Sequence, residues 1–180
     1  MNIYFSGIGG VGIGPLAEIA AGAGYNIFGS DAISGLTTEK LEARGVEMEI
    51  GPQTGKFLQQ TYDEHGIVCV VYTSALPPDH PELVLANKLG IKVSKRDELL
   101  NKIIEEKNLK LIAAAGTHGK TSTTGMFVWA LKQLGVPVSW SVGTTLSFGE
   151  SGFFDTDSRL FIYEADEFDR NFLHFIPFLS

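Results

Sequence analysis

Two successive α/β units, each built on a parallel sheet, are predicted by three observations. Short β-prone runs alternate with helix-length amphipathic segments along the chain. Two strand-to-helix turns are glycine loops, Gly7-Ile8-Gly9-Gly10-Val11-Gly12 and Gly116-Thr117-His118-Gly119-Lys120-Thr121-Ser122. Between them the polar run Glu105-Glu106-Lys107-Asn108 breaks the rhythm, and the strand-turn-helix pattern then restarts. The boundary is placed near Asn108, with a Rossmann-like parallel-sheet unit over residues 1–108 and the N-terminal part of a P-loop α/β unit over residues 109–180.

In the first unit, the β-prone run 2–6 ends in glycines, and residues 11–24 carry Leu16, Ile19 and Ala20 at helical spacing. A strand over 25–28 runs on to Ser30 and Asp31, and a helix over 37–44 is closed by Gly45. No element is assigned to residues 46–66. The apolar run 67–72 reads as a buried parallel strand, followed by a Pro-flanked helix over 81–89 stopped by Gly90. A short strand over 91–93 and an amphipathic stretch over 97–106 complete the unit.

The second unit reads as a strand over 109–115, the P-loop, a helix over 122–134 capped by Gly135, and a strand over 138–142. A Gly- and Ser-rich loop then leads to a strand over 159–163.

With 44% hydrophobic and 19% charged residues over 180 positions, the composition is that of a packed globular protein. A formal charge of -7 argues against nucleic acid or acidic membrane as a partner, because such binders concentrate Lys and Arg on one face. Any phosphate ligand must therefore be held by local geometry. The lone cysteine, Cys69, sits in an apolar run and reads as a small buried hydrophobe, and one Cys allows no disulfide framework. No apolar run approaches the ~18 residues a spanning helix needs, so no membrane insertion is expected and the cytoplasm is the expected location. No obligate protein partner is evident.

The first glycine loop satisfies G-x-G-x-x-G after a strand and before a helix, so backbone amides and a helix N-terminus can face a diphosphate. Asp31, at the end of the second strand, is placed to accept hydrogen bonds from a ribose hydroxyl. The same geometry serves NAD or FAD, another nucleotide, or a structural turn. A second phosphate loop in the adjoining unit favours another nucleotide.

In that second loop, the backbone can wrap the β- and γ-phosphates of ATP, Lys120 can neutralise developing charge, and the Thr121 hydroxyl can ligate Mg²⁺. The metal also needs a carboxylate, and the strand 159–163 runs into Glu164-Ala165-Asp166-Glu167. Glu164 is the first choice as metal ligand; the alternative is a solvated strand end. His118 reads equally as a loop filler, a ligand contact or a titrating group. His65, His80 and His174 read as surface or packing residues, none with a metal-ligand partner four positions on.

Taken together, these residues resemble the Mur ligases of peptidoglycan synthesis. The motifs Gly29-Ser30-Asp31, Tyr72-Thr73-Ser74-Ala75, Pro81-Glu82, Arg96-Asp97-Glu98-Leu99-Leu100 and Glu164-Ala165-Asp166-Glu167-Phe168-Asp169 fall in family order around the two loops. The resemblance implies a UDP-sugar at the first loop, with Gly9, Gly10, Val11 and Gly12 at the diphosphate, Asp31 toward the uridine, and Ser74 and Arg96 as further contacts. It implies Mg-ATP at Gly116, Thr117, His118, Gly119, Lys120, Thr121 and Ser122, with Lys120 and Glu164 as catalytic residues and Thr121 and Glu164 on the metal. The implied chemistry is phosphoryl transfer from ATP to the carboxylate of UDP-N-acetylmuramate. The amine of L-alanine then attacks the acyl phosphate to form an amide.

Three stretches depart from the family pattern: Ile13-Gly14-Pro15, Ser122 and Gly143-Thr144-Thr145. The resemblance also implies a longer, three-domain protein, so the 180 residues are expected to be a fragment unable to complete a turnover alone. The alternatives are a recycling ligase that joins a tripeptide to the same sugar nucleotide, a non-catalytic UDP-sugar binding module, and an NAD-dependent dehydrogenase.

Overall fold

The computed structural model describes residues 1–73, 75–165 and 175–180, and the chain divides into two units, Met1–Leu99 and Leu100–Ser180. In the first, β1 (Asn2–Ser6), β2 (Asn26–Asp31), β3 (Glu47–Ile50), β4 (Cys69–Tyr72) and β5 (Lys92–Lys95) form one sheet in the order β3-β2-β1-β4-β5. Every neighbouring pair is parallel. Chain order runs outward from β1 to β2 and β3 on one side and from β4 to β5 on the other. The switch point between β1 and β4 is where folds of this kind open a ligand crevice outside the carboxyl ends of the strands.

Helices α1 (Gly14–Gly22), α2 (Leu36–Ala43), α3 (Lys56–His65), α4 (Pro81–Lys88) and α5 (Arg96–Glu106) alternate with the strands. Successive strand residues face opposite sides. On one face Tyr4, Phe28 and Val70 bury against Leu58 of α3 and Leu83 and Ala86 of α4. The division between units falls inside α5, upstream of Asn108; Asn108 itself is a turn residue at φ +52° between α5 and the next strand.

Sequence reasoning missed β3 and α3. The strand Glu47-Met48-Glu49-Ile50 is a half-exposed edge whose two carboxylates mask its pattern. Helix α3 is polar except for Phe57, Leu58 and Tyr62, and it is bracketed by Gly55 at φ +84° and Gly66 at φ +70°. Helix α1 starts at Gly14 rather than Val11, because the Gly10 carbonyl accepts from the Ile13 and Gly14 amides and closes the loop first.

In the second unit, β6 (Lys110–Ala114), β7 (Ser139–Ser141), β8 (Gly152–Phe153) and β9 (Leu160–Glu164) pair in the order β6-β9-β7-β8. The first three are mutually parallel and β8 is antiparallel to β7. Helix α6 (Lys120–Gln133) packs on β6 and β9, burying Val128 with Val138, Trp140, Val142 and Ile162. The short β8, absent from the sequence reading, stacks Phe153 on Trp140 at 4.6 Å between ring centroids. The Trp140 indole donates to the Glu150 carbonyl at 2.8 Å, which draws the 143–151 loop over the sheet.

Candidate functional site

The first loop leaves β1 at Ser6 and turns at Gly7, whose φ of +79° only glycine adopts freely. The amides of Gly7 and Ile8 both donate to the Ser30 carbonyl, at 2.9 and 3.0 Å, and the Gly10 amide donates back to Gly7. The Gly9 amide donates to Asp31 Oδ2 at 2.8 Å, and a Cβ on Gly9 would stand 2.8 Å from Thr38 Cγ2. Gly9 is therefore required by close packing, and Asp31 clamps the loop from the end of β2.

The amides of Val11 and Gly12 have no partner among the described residues, and the Val11 side chain is 95% exposed. Arg96, at the start of α5, brings Nη1 to 3.3 Å from where a Cβ on Gly12 would lie, and its Nε is 3.5 Å from the buried Asp97 carboxylate. Two outward amides beside a guanidinium held by an acid make an anion cradle. Of the residues expected to hold the UDP-sugar, Val11 and Gly12 keep amides without a partner among the described residues, and Arg96 stands beside Gly12. Gly9 and Gly10 serve the loop itself, and Asp31 accepts from the Gly9 amide through Oδ2 and from the Ile33 amide through Oδ1 at 3.3 Å. Ser74 lies outside the described residues.

One residue quoted in the sequence only as part of a motif has a role that sequence reasoning missed. Glu82, fully buried in the first turn of α4, accepts from the Tyr4 and Ser30 hydroxyls at 2.6 Å each and from the Ser6 hydroxyl. Gln53 donates to the Ser30 hydroxyl oxygen at 2.8 Å and to Glu82 at 3.4 Å. Burial and the Glu82 charge hold the Tyr4 phenol far above its ordinary value of 10.0. A glutamate directly after the helix-opening Pro81 was a visible signal for a helix N-terminus, but its burial depends on residues up to 78 positions away.

In the second unit the P-loop rises from β6 with Gly116 at φ +144° and Gly119 at φ +79°, the latter as N-cap of α6. Residues 115–119, with Thr117 and His118 among them, are exposed. The first turn of α6, from Lys120 through Ser122, opens beside them with amides that have no intrahelical acceptor to reach. Lys120 Nζ folds back to the Gly116 carbonyl at 2.8 Å.

Ala114 and Glu164 are register partners at the carboxyl ends of β6 and β9. That adjacency brings Glu164 under the loop, where Oε1 accepts from the Thr121 hydroxyl at 2.6 Å and Oε2 from the Gly143 amide at 2.7 Å. A Cβ at position 143 would lie 3.0 Å from Glu164 Oε2, so glycine lets the backbone approach. A cleft of about 370 Å³ opens at the loop, lined by Ala113, His118, Lys120, Thr124 and Phe127.

No group of three or more His, Cys, Asp or Glu among the described residues could hold a metal. Thr121 and Glu164 instead offer a hard hydroxyl and a hard carboxylate, the sparse oxygen set that suits Mg²⁺, which takes one or two protein ligands and fills the rest with phosphates and water. Asp166 and Glu167 lie outside the described residues. No helix among the described residues is long and apolar enough to cross a membrane.

A family model described as the Mur ligase family, catalytic domain, matches residues 2–108. The UDP-N-acetylmuramate–L-alanine ligase of Streptomyces avermitilis is 38% identical over 174 residues, covering 97% of this chain and 36% of that protein. The chain thus spans about a third of the length of the curated relatives it matches. Among solved structures, a murein peptide ligase from Psychrobacter arcticus superposes with a TM-score of 0.82 at 27% identity, covering 98% of this chain and 41% of that one. The UDP-N-acetylmuramate-alanine ligase of Thermotoga maritima gives 0.84 at 24% identity over 98% of this chain and 40% of that one, and shows the same fold. With the family match extending over more than half of its length, the chain belongs to the Mur ligase family.

Proposed function

We propose that this chain carries the sugar-nucleotide and ATP sites of an amide-forming ligase that adds L-alanine to UDP-N-acetylmuramate. The observation that carries the reading is the Thr121–Glu164 pair at the mouth of the P-loop, joined to a separate glycine-loop anion cradle in the first unit. The curated relatives named for that reaction support the choice of substrates.

In this reading Val11, Gly12 and Arg96 bind the diphosphate of the UDP-sugar, while Asp31 keeps the loop in shape by holding Gly9. The P-loop amides and Lys120 bind the ATP phosphates, with Lys120 Nζ exchanging the Gly116 carbonyl for a phosphate oxygen. Thr121 and Glu164 would hold Mg²⁺, which would supply neutralisation of phosphate charge while the γ-phosphoryl group passes to the muramate carboxylate and ADP leaves. The acyl phosphate that results is attacked by the amine of L-alanine, which expels inorganic phosphate and leaves an amide.

The Psychrobacter murein peptide ligase favours a second reading, in which the acceptor is a peptide and the two nucleotide sites are unchanged. Calorimetric titration of UDP-N-acetylmuramate and of Mg-ATP, each alone, tests the shared part. Binding of both supports a ligase; binding of the sugar nucleotide without Mg-ATP points to a binding module, and binding of NADH at the first loop to a dehydrogenase. Product formation with L-alanine against a tripeptide, in a chain of full family length, separates the two ligase readings.

A further inference from the structure

We infer that Glu82 is a positioning residue for the first glycine loop, setting the spacing of the β1 and β2 ends from which the Val11 and Gly12 amides are aimed at an anion. This rests on reading that loop as the sugar-nucleotide site. Ser6 and Ser30 are register partners at the carboxyl ends of the two strands, and both donate their hydroxyls to the same carboxylate. Ser6 is the residue from which the loop departs; Ser30 supplies the carbonyl that pins the Gly7 and Ile8 amides. Tyr4, two residues before Ser6 on the same face, supplies a third hydroxyl, and Gln53 ties in the segment after β3.

A charged group in a dry interior costs much desolvation, and an apolar side chain of similar volume often serves stability as well or better. What an acid provides here is geometry. Its two oxygens take three hydroxyl protons and an amide from separate elements, and so fix β1, β2, the 51–55 segment and α4 against one another. Glu82 itself donates nothing to the loop and acts through the two serines.

The test compares wild type with Glu82→Gln in the full chain, by amide hydrogen exchange and by calorimetric titration of UDP-N-acetylmuramate and Mg-ATP. Glutamine keeps the shape but replaces an acceptor oxygen with a donor, so the four donors can no longer all be accepted. Exchange at Gly7 and Ile8 is expected to rise, and affinity for the sugar nucleotide to fall, each roughly tenfold. The Val71 amide in β4 should keep its protection and Mg-ATP its affinity.

Unchanged exchange at Gly7 and Ile8 overturns the proposal, as does an equal rise at Val71, which would mark general loosening. So does raised loop exchange with wild-type affinity for the sugar nucleotide. If the wild type does not bind the sugar nucleotide, the functional reading fails while the exchange comparison still decides the role of Glu82. Should Glu82→Gln fail to fold, Ser30→Ala removes the hydroxyl and keeps the carbonyl. The same shifts are then expected, and unchanged loop exchange overturns the proposal equally.

Discussion

Thr121 and Glu164 meet at 2.6 Å, the threonine from the first turn of α6 and the glutamate from the last residue of β9. The hydrogen bond turns the threonine proton toward the carboxylate and leaves the hydroxyl lone pairs available to the proposed Mg²⁺. Thr121→Ala should lower Mg-ATP affinity by at least about tenfold, the scale of one lost hydrogen bond to a charged group. Calorimetry with and without excess EDTA checks this: the loss should be smaller for metal-free ATP, and an equal loss in both would argue against a metal role.

Lys120→Ala removes the only side-chain cation in the P-loop segment 116–122. Mg-ATP affinity should collapse while the affinity for UDP-N-acetylmuramate stays at its wild-type value, since the sugar-nucleotide residues lie in the other unit. Parallel titrations decide it; loss of both affinities would sink the two-site assignment.

Asp31→Ala is the converse. It deprives the Gly9 amide of its acceptor and loosens the loop, so sugar-nucleotide affinity should fall roughly tenfold with Mg-ATP binding spared. Asp31→Asn, which retains an acceptor oxygen, should lose less.

Gly29 in β2 is a packing requirement rather than a flexible joint. A methyl group there would stand 2.6 Å from the Phe5 carbonyl and 2.7 Å from Ile8 Cδ1. Gly29→Ala should destabilise the first unit by about 1–3 kcal/mol, visible as a fall of several degrees in Tm.

The buried Tyr4 phenol gives a signature in alkali. The unfolded chain ionises this group near 10.0 and the folded chain does not, so above that pH the unfolded state holds fewer protons. Stability from this group is complete below pH 10 and is lost as pH rises further, by about 1.4 kcal/mol per pH unit. Denaturant titrations between pH 9 and 11 should show stability that begins to fall as pH passes 10 in wild type and falls less in Tyr4→Phe.

Both glycine loops were legible in the sequence as strand-to-helix turns because their pattern is local: a few glycines, and in the second a lysine and a hydroxyl, at fixed spacing between a strand and a helix. Glu164 was legible too, since a carboxylate ending an apolar strand is a one-dimensional signal. What could not be read was who partners whom. Asp31 was expected at a ribose, but strand pairing sets it beside Gly9. Glu82 stood in the sequence only as part of the Pro81-Glu82 motif, with no role attached, and only the β1–β2 register and the docking of α4 reveal four donors around it. The polar edge strand β3 and the half-buried α3 were invisible because few of their residues face the core.

The Glu82 hub also bears on how the first unit assembles. Its three hydroxyl donors, Tyr4, Ser6 and Ser30, lie 52 to 78 positions from Glu82 along the chain, so no early hairpin or single crossover can form it. Non-local closures of this kind carry the largest entropic toll and come late. A nascent chain that has made β1, α1 and β2 holds all the glycines of the first loop yet lacks the acid that tightens them. On the proposed reading of that loop, competence to grip a nucleotide arrives only once α4 has docked, making ligand binding a report on completed folding of the unit.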